Sequence, residues 1–218
     1  MPIDLSFVGR FLPGLLEGTV ITLELSVLAI IAALILGMVI ALAALSGRKV
    51  MALPAGAFVQ CMRNTPLLVQ LYLVYFGLGM IGLGLSAFLS GLIALTAQNS
   101  AYIAEIYRGG LQSVSRTQIE AGKALGMRRR EIFELIELPQ AFMRVVPPLC
   151  NQFIQIIKDT SILSAIAVGE LMHQGKMLSE RTAATYEIFV MVGLFYLVIT
   201  SIVTFATRSF ERRFAIAH

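Results

Sequence analysis

The stretch from Pro66 to Ala104 contains no charged residue, and it is too long to be a single helix across a bilayer. Of the 218 residues in the chain, 57% are hydrophobic and 14% are charged, and the mean hydropathy is +0.82. Soluble domains are typically about 45–50% apolar and about 25% charged. The composition therefore predicts an all-α integral membrane protein. It excludes a disordered chain and argues against a soluble α/β enzyme.

Five segments are apolar enough to cross a bilayer, and they predict one transmembrane domain over residues 1–218. The predicted spans lie at about residues 19–45, 52–77, 85–107, 147–171 and 186–207. Residues Arg63 to Pro66 predict a kink inside the second span. The first span is distinguished from a signal peptide because Asp4 and Glu17 precede it and because it is too long.

The positions of lysine and arginine predict the orientation of the spans. Twelve basic residues fall in three alternating regions: the turn at 46–51, the polar segment at 108–146 and the tail after residue 207. Only Arg10, Lys176 and Arg181 fall on the other side. Since basic loops stay in the cytoplasm, we predict that the N-terminus is outside and the C-terminus is cytoplasmic. These loops account for the net charge of +4 without nucleic-acid binding. The segment between the last two spans, which contains His173, is predicted to be an external loop.

The polar segment contains the most specific pattern in the chain, TQIEAGKALGMRRREIFELIELPQA, which begins at Thr117. It predicts two short helices, at residues 118–125 and 129–138. The first carries small side chains that could fit closely against a partner, and Gly126 allows a positive φ between the two helices. Pro139 is predicted to end the second helix. One side of that second helix is predicted to be apolar, through Ile132, Phe133, Leu135 and Ile136.

This pattern resembles the EAA loop of bacterial ABC importer permeases, written EAA, three residues, G, nine residues, I, one residue, LP. Gly122 stands where the family has its second alanine. The matching residues are Glu120, Ala121, Gly126, Ile136, Leu138 and Pro139. The resemblance implies that the loop docks on a cytoplasmic ATPase subunit. The docking candidates are Glu120, Ala121, Gly122, Ala124, Leu125 and Gly126.

Three further stretches resemble the polar amino-acid branch of the same family. They are RNTPLLVQLYLVYFGLG at 63–79, QNSAYIAEIYRGGLQSV at 98–114 and KDTSILSAIAVGEL at 158–171, with Asn64 where members usually have glycine. The resemblance implies a multi-pass permease of the bacterial inner membrane, which forms a path with an identical or paralogous permease. It also implies separate ATP-binding subunits, an extracytoplasmic substrate-binding protein and a polar amino acid as cargo.

The chain itself shows no catalytic, metal or cofactor site. It has no GxxxxGK[ST] phosphate loop, which predicts a subunit that is not itself an enzyme. Cys61 and Cys150 lack CxxC spacing and are predicted to be buried, unbridged thiols. The alternative function is an independent secondary transporter or channel, although five spans do not divide into two inverted repeats. A membrane enzyme would need a paired nucleophile and base, which the sequence does not offer.

Charged residues at membrane depth predict where the substrate passes, because burying them is expensive. Arg63 could hold an α-carboxylate and Asp159 an α-ammonium, or Arg63 could form a structural ion pair with Asp159 or Glu105. The spacing of Glu105 and Arg108 predicts a local ion pair. The neighbouring hydroxyl and amide side chains could equally bond within their own helix or bridge two helices. The path candidates are Arg63, Asn64, Thr65, Gln98, Asn99, Tyr102, Asp159, Thr160 and Ser161.

Overall fold

Helices account for all the regular secondary structure between residues 5 and 215, the range that this computed structural model describes; side chains are described for residues 11–207. The all-α class predicted from the composition is confirmed within that range. The predicted roles of Arg10 and of the tail residues Arg208, Arg212 and Arg213 lie outside the described side chains. The helices are α1 (Leu5–Leu45), α2 (Lys49–Asn64), α3 (Leu67–Tyr72), α4 (Leu78–Met80), α5 (Ala87–Gln112), α6 (Arg116–Ala124), α7 (Arg129–Ile132), α8 (Leu138–Asp159), α9 (Leu171–Thr182) and α10 (Thr185–Ala215).

Short irregular turns join several of these helices. A π turn at Leu73–Gly77 connects α3 to α4, another at Phe133–Glu137 connects α7 to α8, and a 3-10 turn at Thr160–Ile166 extends α8. Two stretches, Phe11–Leu45 and Thr185–Thr207, are individually long and apolar enough to cross a membrane. The count of five spans and their orientation therefore stay predictions. The segment before the last predicted span is not an irregular loop, as predicted, but forms helix α9; its external position stays a prediction.

Close packing between α1 and α5 forms the centre of the bundle. Small residues of α1, among them Ala33, face α5, and a Cβ on Gly37 would lie 2.8 Å from Ile103 Cγ2. The outward face of α1 exposes large aliphatic side chains such as Ile35, which is 64% exposed. A helix with one tightly packed face and one broad apolar exposed face suits a protein that has lipid as its outer solvent.

The predicted kink in the second span is a complete break between α2 and α3. Thr65 and Pro66 are extended, with ψ angles of 135° and 140°, because proline disfavours the helical conformation of the residue before it. The buried Gln70 side chain donates to the carbonyl oxygens of Met62 and Thr65, at 2.9 and 3.0 Å. It thereby satisfies two carbonyl groups that the broken helix leaves without partners.

The predicted cytoplasmic loop joins the bundle differently from the prediction. Pro139 does not end a helix: it lies in the first turn of α8, directly after the π turn, where the ladder of hydrogen bonds is already interrupted. The chain is consequently helical from residue 129 to residue 159. The π turn also changes the register, so Ile132 is buried whereas Leu135 is 68% exposed. The predicted single apolar face of this helix is therefore wrong.

Helices α5 and α8 approach most closely at Gly110. A Cβ added there would lie 2.1 Å from Val145 Cγ2 and 3.2 Å from the Ala141 carbonyl oxygen, whereas one added to the adjacent Gly109 would meet nothing within 4 Å. We expect Gly110→Val to destabilise the protein by about 1–3 kcal/mol through overpacking. Gly109→Val is the matched control, and thermal unfolding in detergent is the measurement. Equal melting temperatures for the two variants would contradict this account of the contact.

Candidate functional site

A cavity of about 530 Å³ lies between α2, α5 and α8. Its size is within the usual range for small-molecule sites, about 300–1,000 Å³. It collects two arginines and one carboxylate, together with several uncharged polar side chains. The residues that line it are Arg63, Tyr102, Glu105, Ile106, Gly109, Gly110, Ser113, Arg144, Pro148, Asn151 and Gln152. Of the predicted path residues, it brings together Arg63 and Tyr102; Arg144, Asn151 and Gln152 were missed.

Arg63 is only weakly held at the edge of this cavity. Its Nη1 atom lies 3.5 Å from Glu105 Oε2, and its guanidinium carbon lies 5.4 Å from the centre of the Tyr102 ring. Glu105 makes its short contacts to Arg108 instead, at 2.6 and 2.8 Å, so the predicted local ion pair is confirmed. Because Arg108 already satisfies the carboxylate, the guanidinium of Arg63, with 38% of its side chain exposed, is available to an anion.

Asn99 bridges two helices. Its Nδ2 atom donates to the Leu95 carbonyl oxygen at 2.8 Å, and its Oδ1 atom accepts from Gln152 Nε2 at 2.6 Å. With Asn99 only 1% exposed, bridging is the role that the structure gives it. The neighbouring Gln98 differs, because its side-chain oxygen is buried and has no hydrogen-bond partner among the described residues. Gln98 is thus the amide of this pair that can still accept a hydrogen bond.

Asp159 and the two hydroxyl residues after it bond within their own segment. Asp159 Oδ1 accepts from Gln155 Nε2 at 2.7 Å, while Thr160 and Ser161 each donate at 2.7 Å to a carbonyl oxygen three residues earlier. The predicted back-bonding of the hydroxyl groups is therefore confirmed. Thr160 is fully buried, whereas Asp159 and Ser161 are partly accessible.

The structure does not bring Asp159 to Arg63. The contacts Asn99–Gln152 and Gly110–Val145 show that α5 and α8 run antiparallel. At 1.5 Å per residue, the steps from Asn99 to Glu105 and from Gln152 to Asp159 separate Asp159 from Glu105 by about 20 Å along the bundle. Asp159 and Arg63 form no ion pair, and within one chain they are too far apart to hold the two ends of one amino acid. The hypothesis that Arg63 and Asp159 act together therefore gains no support within a single chain.

Asn64 and Thr65 lie at the break between α2 and α3 and also bond locally. Asn64 Nδ2 donates to Gln60 Oε1 at 3.1 Å, and Thr65 Oγ1 donates to the Cys61 carbonyl oxygen at 2.8 Å. Neither lines the cavity. Cys61 is exposed rather than buried, and Cys150 is buried as predicted.

The predicted cytoplasmic loop presents most of its docking candidates to solvent. Gly126 has a φ of +77°, which confirms the predicted positive-φ turn, and a Cβ there would meet nothing within 4 Å. Gly122 is the exception: it is buried against its own loop, where a Cβ would lie 3.1 Å from both Ile132 Cγ1 and Ile136 Cδ1. Gly122 therefore shapes the loop and does not form its outer surface. The exposed candidates are Glu120, Ala121, Ala124, Leu125 and Gly126.

The helical bundle, the cavity with its charged side chains and the exposed loop at residues 113–137 define a membrane transport component. The chain belongs to the family described as "Binding-protein-dependent transport system inner membrane component", whose pattern matches residues 33–216. This finding confirms the family resemblance drawn from the loop.

Curated relatives match along nearly the whole chain. The chain is 38% identical over 198 residues to the "Probable glutamine ABC transporter permease protein GlnM" of Bacillus subtilis (strain 168), covering 91% of this chain and 92% of that one. It is 37% identical over 218 residues to the "Glutamine transport system permease protein GlnP" of Escherichia coli (strain K12), covering 99% and 100% of the two chains.

Solved structures share the fold. A chain in the crystal structure of an amino acid ABC transporter with histidines superimposes with a TM-score of 0.92, at 35% identity, covering 98% of this chain and 100% of that one. A chain of the inward-facing MetNI methionine ABC transporter has a TM-score of 0.71 at 17% identity, covering 97% and 99%, and shows the fold alone. These relatives are components of ABC transporters and give no support to an independent secondary transporter or channel.

Proposed function

We propose that this chain is the permease subunit of an ATP-driven importer of polar amino acids and that an amide amino acid such as glutamine is its foremost cargo. The observation that carries the proposal is the set of charges around the cavity. Arg63 and Arg144 face a single carboxylate, Glu105, which Arg108 already neutralises. A cavity with surplus positive charge favours a cargo carboxylate and disfavours a cationic side chain. The glutamine permeases among the relatives support the same cargo.

Within the cavity, Arg63 is proposed to take the α-carboxylate in a two-pronged contact, because a planar guanidinium matches carboxylate geometry. Asn151 and Gln152 offer amide groups for a polar cargo side chain. Gln98 and Tyr102 complete the proposed inner position. Asp159 and Ser161 are proposed as a separate, outer position on the path, about 20 Å away along the bundle by the helical rise.

The coupling partners are proposed from the loop and the family. The exposed surface around Ala121 and Gly126 docks on ATP-binding subunits, which hydrolyse ATP. A second permease, identical or paralogous, completes the path, and a substrate-binding protein delivers cargo from outside. The protein lies in the bacterial inner membrane and crosses it five times. The break between α2 and α3 explains why helix length does not mark the second predicted span.

Labelling can test the orientation. In a background with Cys61 and Cys150 replaced by serine, we expect a cysteine at Glu180, which is exposed on α9, to react with a membrane-impermeant maleimide in intact cells. A cysteine at Arg130, which is exposed on α7, should react only after the membrane is permeabilised. The reverse labelling pattern would overturn the predicted orientation.

Competition can test the cargo. In cells that express the chain with its ATPase and binding protein, we expect unlabelled glutamine to suppress uptake of radiolabelled glutamine. Arginine should compete at least about tenfold less well, because a second cation beside Arg63 and Arg144 is repelled. Preferential uptake of arginine would contradict the assignment of an amide cargo, although it would leave the permease function intact.

A further inference from the structure

A cluster of four polar side chains, three of them buried and one partly buried, lies at the end of the bundle opposite the predicted cytoplasmic loop. Its centre is the carboxylate of Glu170, which is 0% exposed. The Tyr196 hydroxyl donates to Glu170 Oε2 at 2.9 Å, and the fully buried side chains of Thr22 and Thr160 lie beside Tyr196. The cluster therefore joins α1, the 3-10 turn after α8, the start of α9 and α10.

The same carboxylate fixes the start of α9. Glu170 accepts hydrogen bonds from the backbone N–H groups of Met172 and His173, at 2.9 and 2.7 Å. The backbone N–H group just before these two, that of Leu171, donates to Thr22 Oγ1 at 3.1 Å. All three backbone donors of this first turn are thus satisfied by buried side chains, so α9 cannot shift without disturbing α1 and α10.

A lysine makes a further link between α9 and the outer part of the path. Lys176 Nζ donates to Ser164 Oγ at 2.8 Å, and Ser164 belongs to the 3-10 turn that directly follows Asp159. The far end of α9 still contacts α10, since the buried Ser179 donates to Thr185 Oγ1 at 2.8 Å, but the side chains of Glu180 and Arg181 beyond it are exposed. The helix consequently has one end attached to the path and one end accessible from outside the bundle.

The backbone is strained on both sides of α9. Ala167 and Ala183 have φ angles of 58° and 55°, and they are the only residues other than glycine with a positive φ among those that the structure describes. A left-handed conformation costs a residue with a side chain roughly 1–2 kcal/mol. One such residue ends the 3-10 turn before α9, and the other ends α9 itself. Strained backbone positions of this kind often occur in segments that move.

Among the described residues, Glu170 has no ion-pair partner within 4 Å. Burying such a carboxylate costs free energy, and an exposed serine or aspartate could cap the helix without that cost. We propose that Glu170 is a positioning residue that transmits movement of α9 to the 3-10 turn and the outer end of the path. The movement begins when the substrate-bound binding protein docks on the exposed end of α9. This inference rests on the proposed import function.

The test measures coupling separately from folding. Complexes of the chain with its ATPase are reconstituted in proteoliposomes, and ATP hydrolysis is measured with and without the glutamine-loaded binding protein. We expect Glu170→Gln to keep normal membrane abundance and basal hydrolysis and to lower stimulation by the binding protein about tenfold, because one buried donor loses its acceptor. Tyr196→Phe should lower stimulation in the same way but less.

Matched controls are available on α1 and α10. Glu24→Gln changes an exposed carboxylate of α1 two residues from Thr22, and Tyr186→Phe removes an exposed hydroxyl of α10; neither should alter stimulation. If basal and stimulated hydrolysis fall in proportion, or if stimulation is unchanged, the inference is overturned. Should Glu170→Gln fail to assemble, Tyr196→Phe decides in the same assay. Absence of stimulation in the unmodified complex would instead overturn the proposed import function.

Discussion

Replacing Gly126 with aspartate should lower ATP-driven uptake by at least about tenfold, which is the loss expected when an unpaired charge is placed in a tight protein interface. The substitution should leave the permease inserted in the membrane. Gly126 has a φ of +77° with open space around it, and aspartate tolerates this conformation better than most residues. The fold can therefore accept the new side chain, whereas a closely fitting ATPase surface cannot. The measurement is uptake normalised to membrane abundance.

Gly47→Asp is the matched control. Gly47 also has a positive φ, at +69°, also has open space around it, and lies in the predicted cytoplasmic turn after α1. The two substitutions impose the same backbone strain and the same charge, and they differ only in whether the docking loop receives them. Equal losses of uptake in both variants would remove the proposed docking role of Gly126.

Removing the guanidinium of Arg63 should have the second large effect. We expect Arg63→Ala to reduce uptake at least about tenfold and Arg63→Lys to reduce it less, because lysine retains the charge but loses the two-pronged contact. A structural explanation is too weak to account for such a loss. The contact to Glu105 spans 3.5 Å at a partly exposed site, and such ion pairs contribute about 0–1 kcal/mol.

Two further variants separate the binding role of Arg63 from its ion pair. Glu105→Gln removes the ion-pair partner of Arg63 but keeps the cation over the Tyr102 ring, so uptake should fall much less than in Arg63→Ala. The double variant Arg63→Ala, Glu105→Gln removes both charges of the long pair. Recovery of uptake in the double variant would show that Arg63 serves Glu105 and does not bind cargo.

The local pattern of the sequence was enough to predict the helical class, the turn at Gly126 and the ion pair of Glu105 with Arg108. Each depends on residues close together in the chain. The same reasoning placed Gly122 on the docking surface, because small size favours close approach to any neighbour. Only the fold shows that its neighbours are Ile132 and Ile136 of the same loop.

Features that depend on register between helices could not be predicted. The separation of Arg63 from Asp159 follows from the antiparallel offset of α5 and α8, which no single helix encodes. Gln152 was missed for the same reason, since its partner Asn99 is distant in sequence. Glu170 lies at the end of the predicted fourth span, and its full burial could not be predicted because charged side chains are rarely fully buried. Its partners on α1 and α10 become visible only in the folded bundle.

The central claim is that this chain forms the path of an ATP-driven importer and hydrolyses no ATP itself. The most direct measurement is uptake of radiolabelled glutamine into proteoliposomes that contain the purified chain and its ATPase, with binding protein outside and ATP inside. We predict accumulation that requires all three proteins and ATP. Accumulation driven by an ion gradient in proteoliposomes that contain this chain alone would contradict the account.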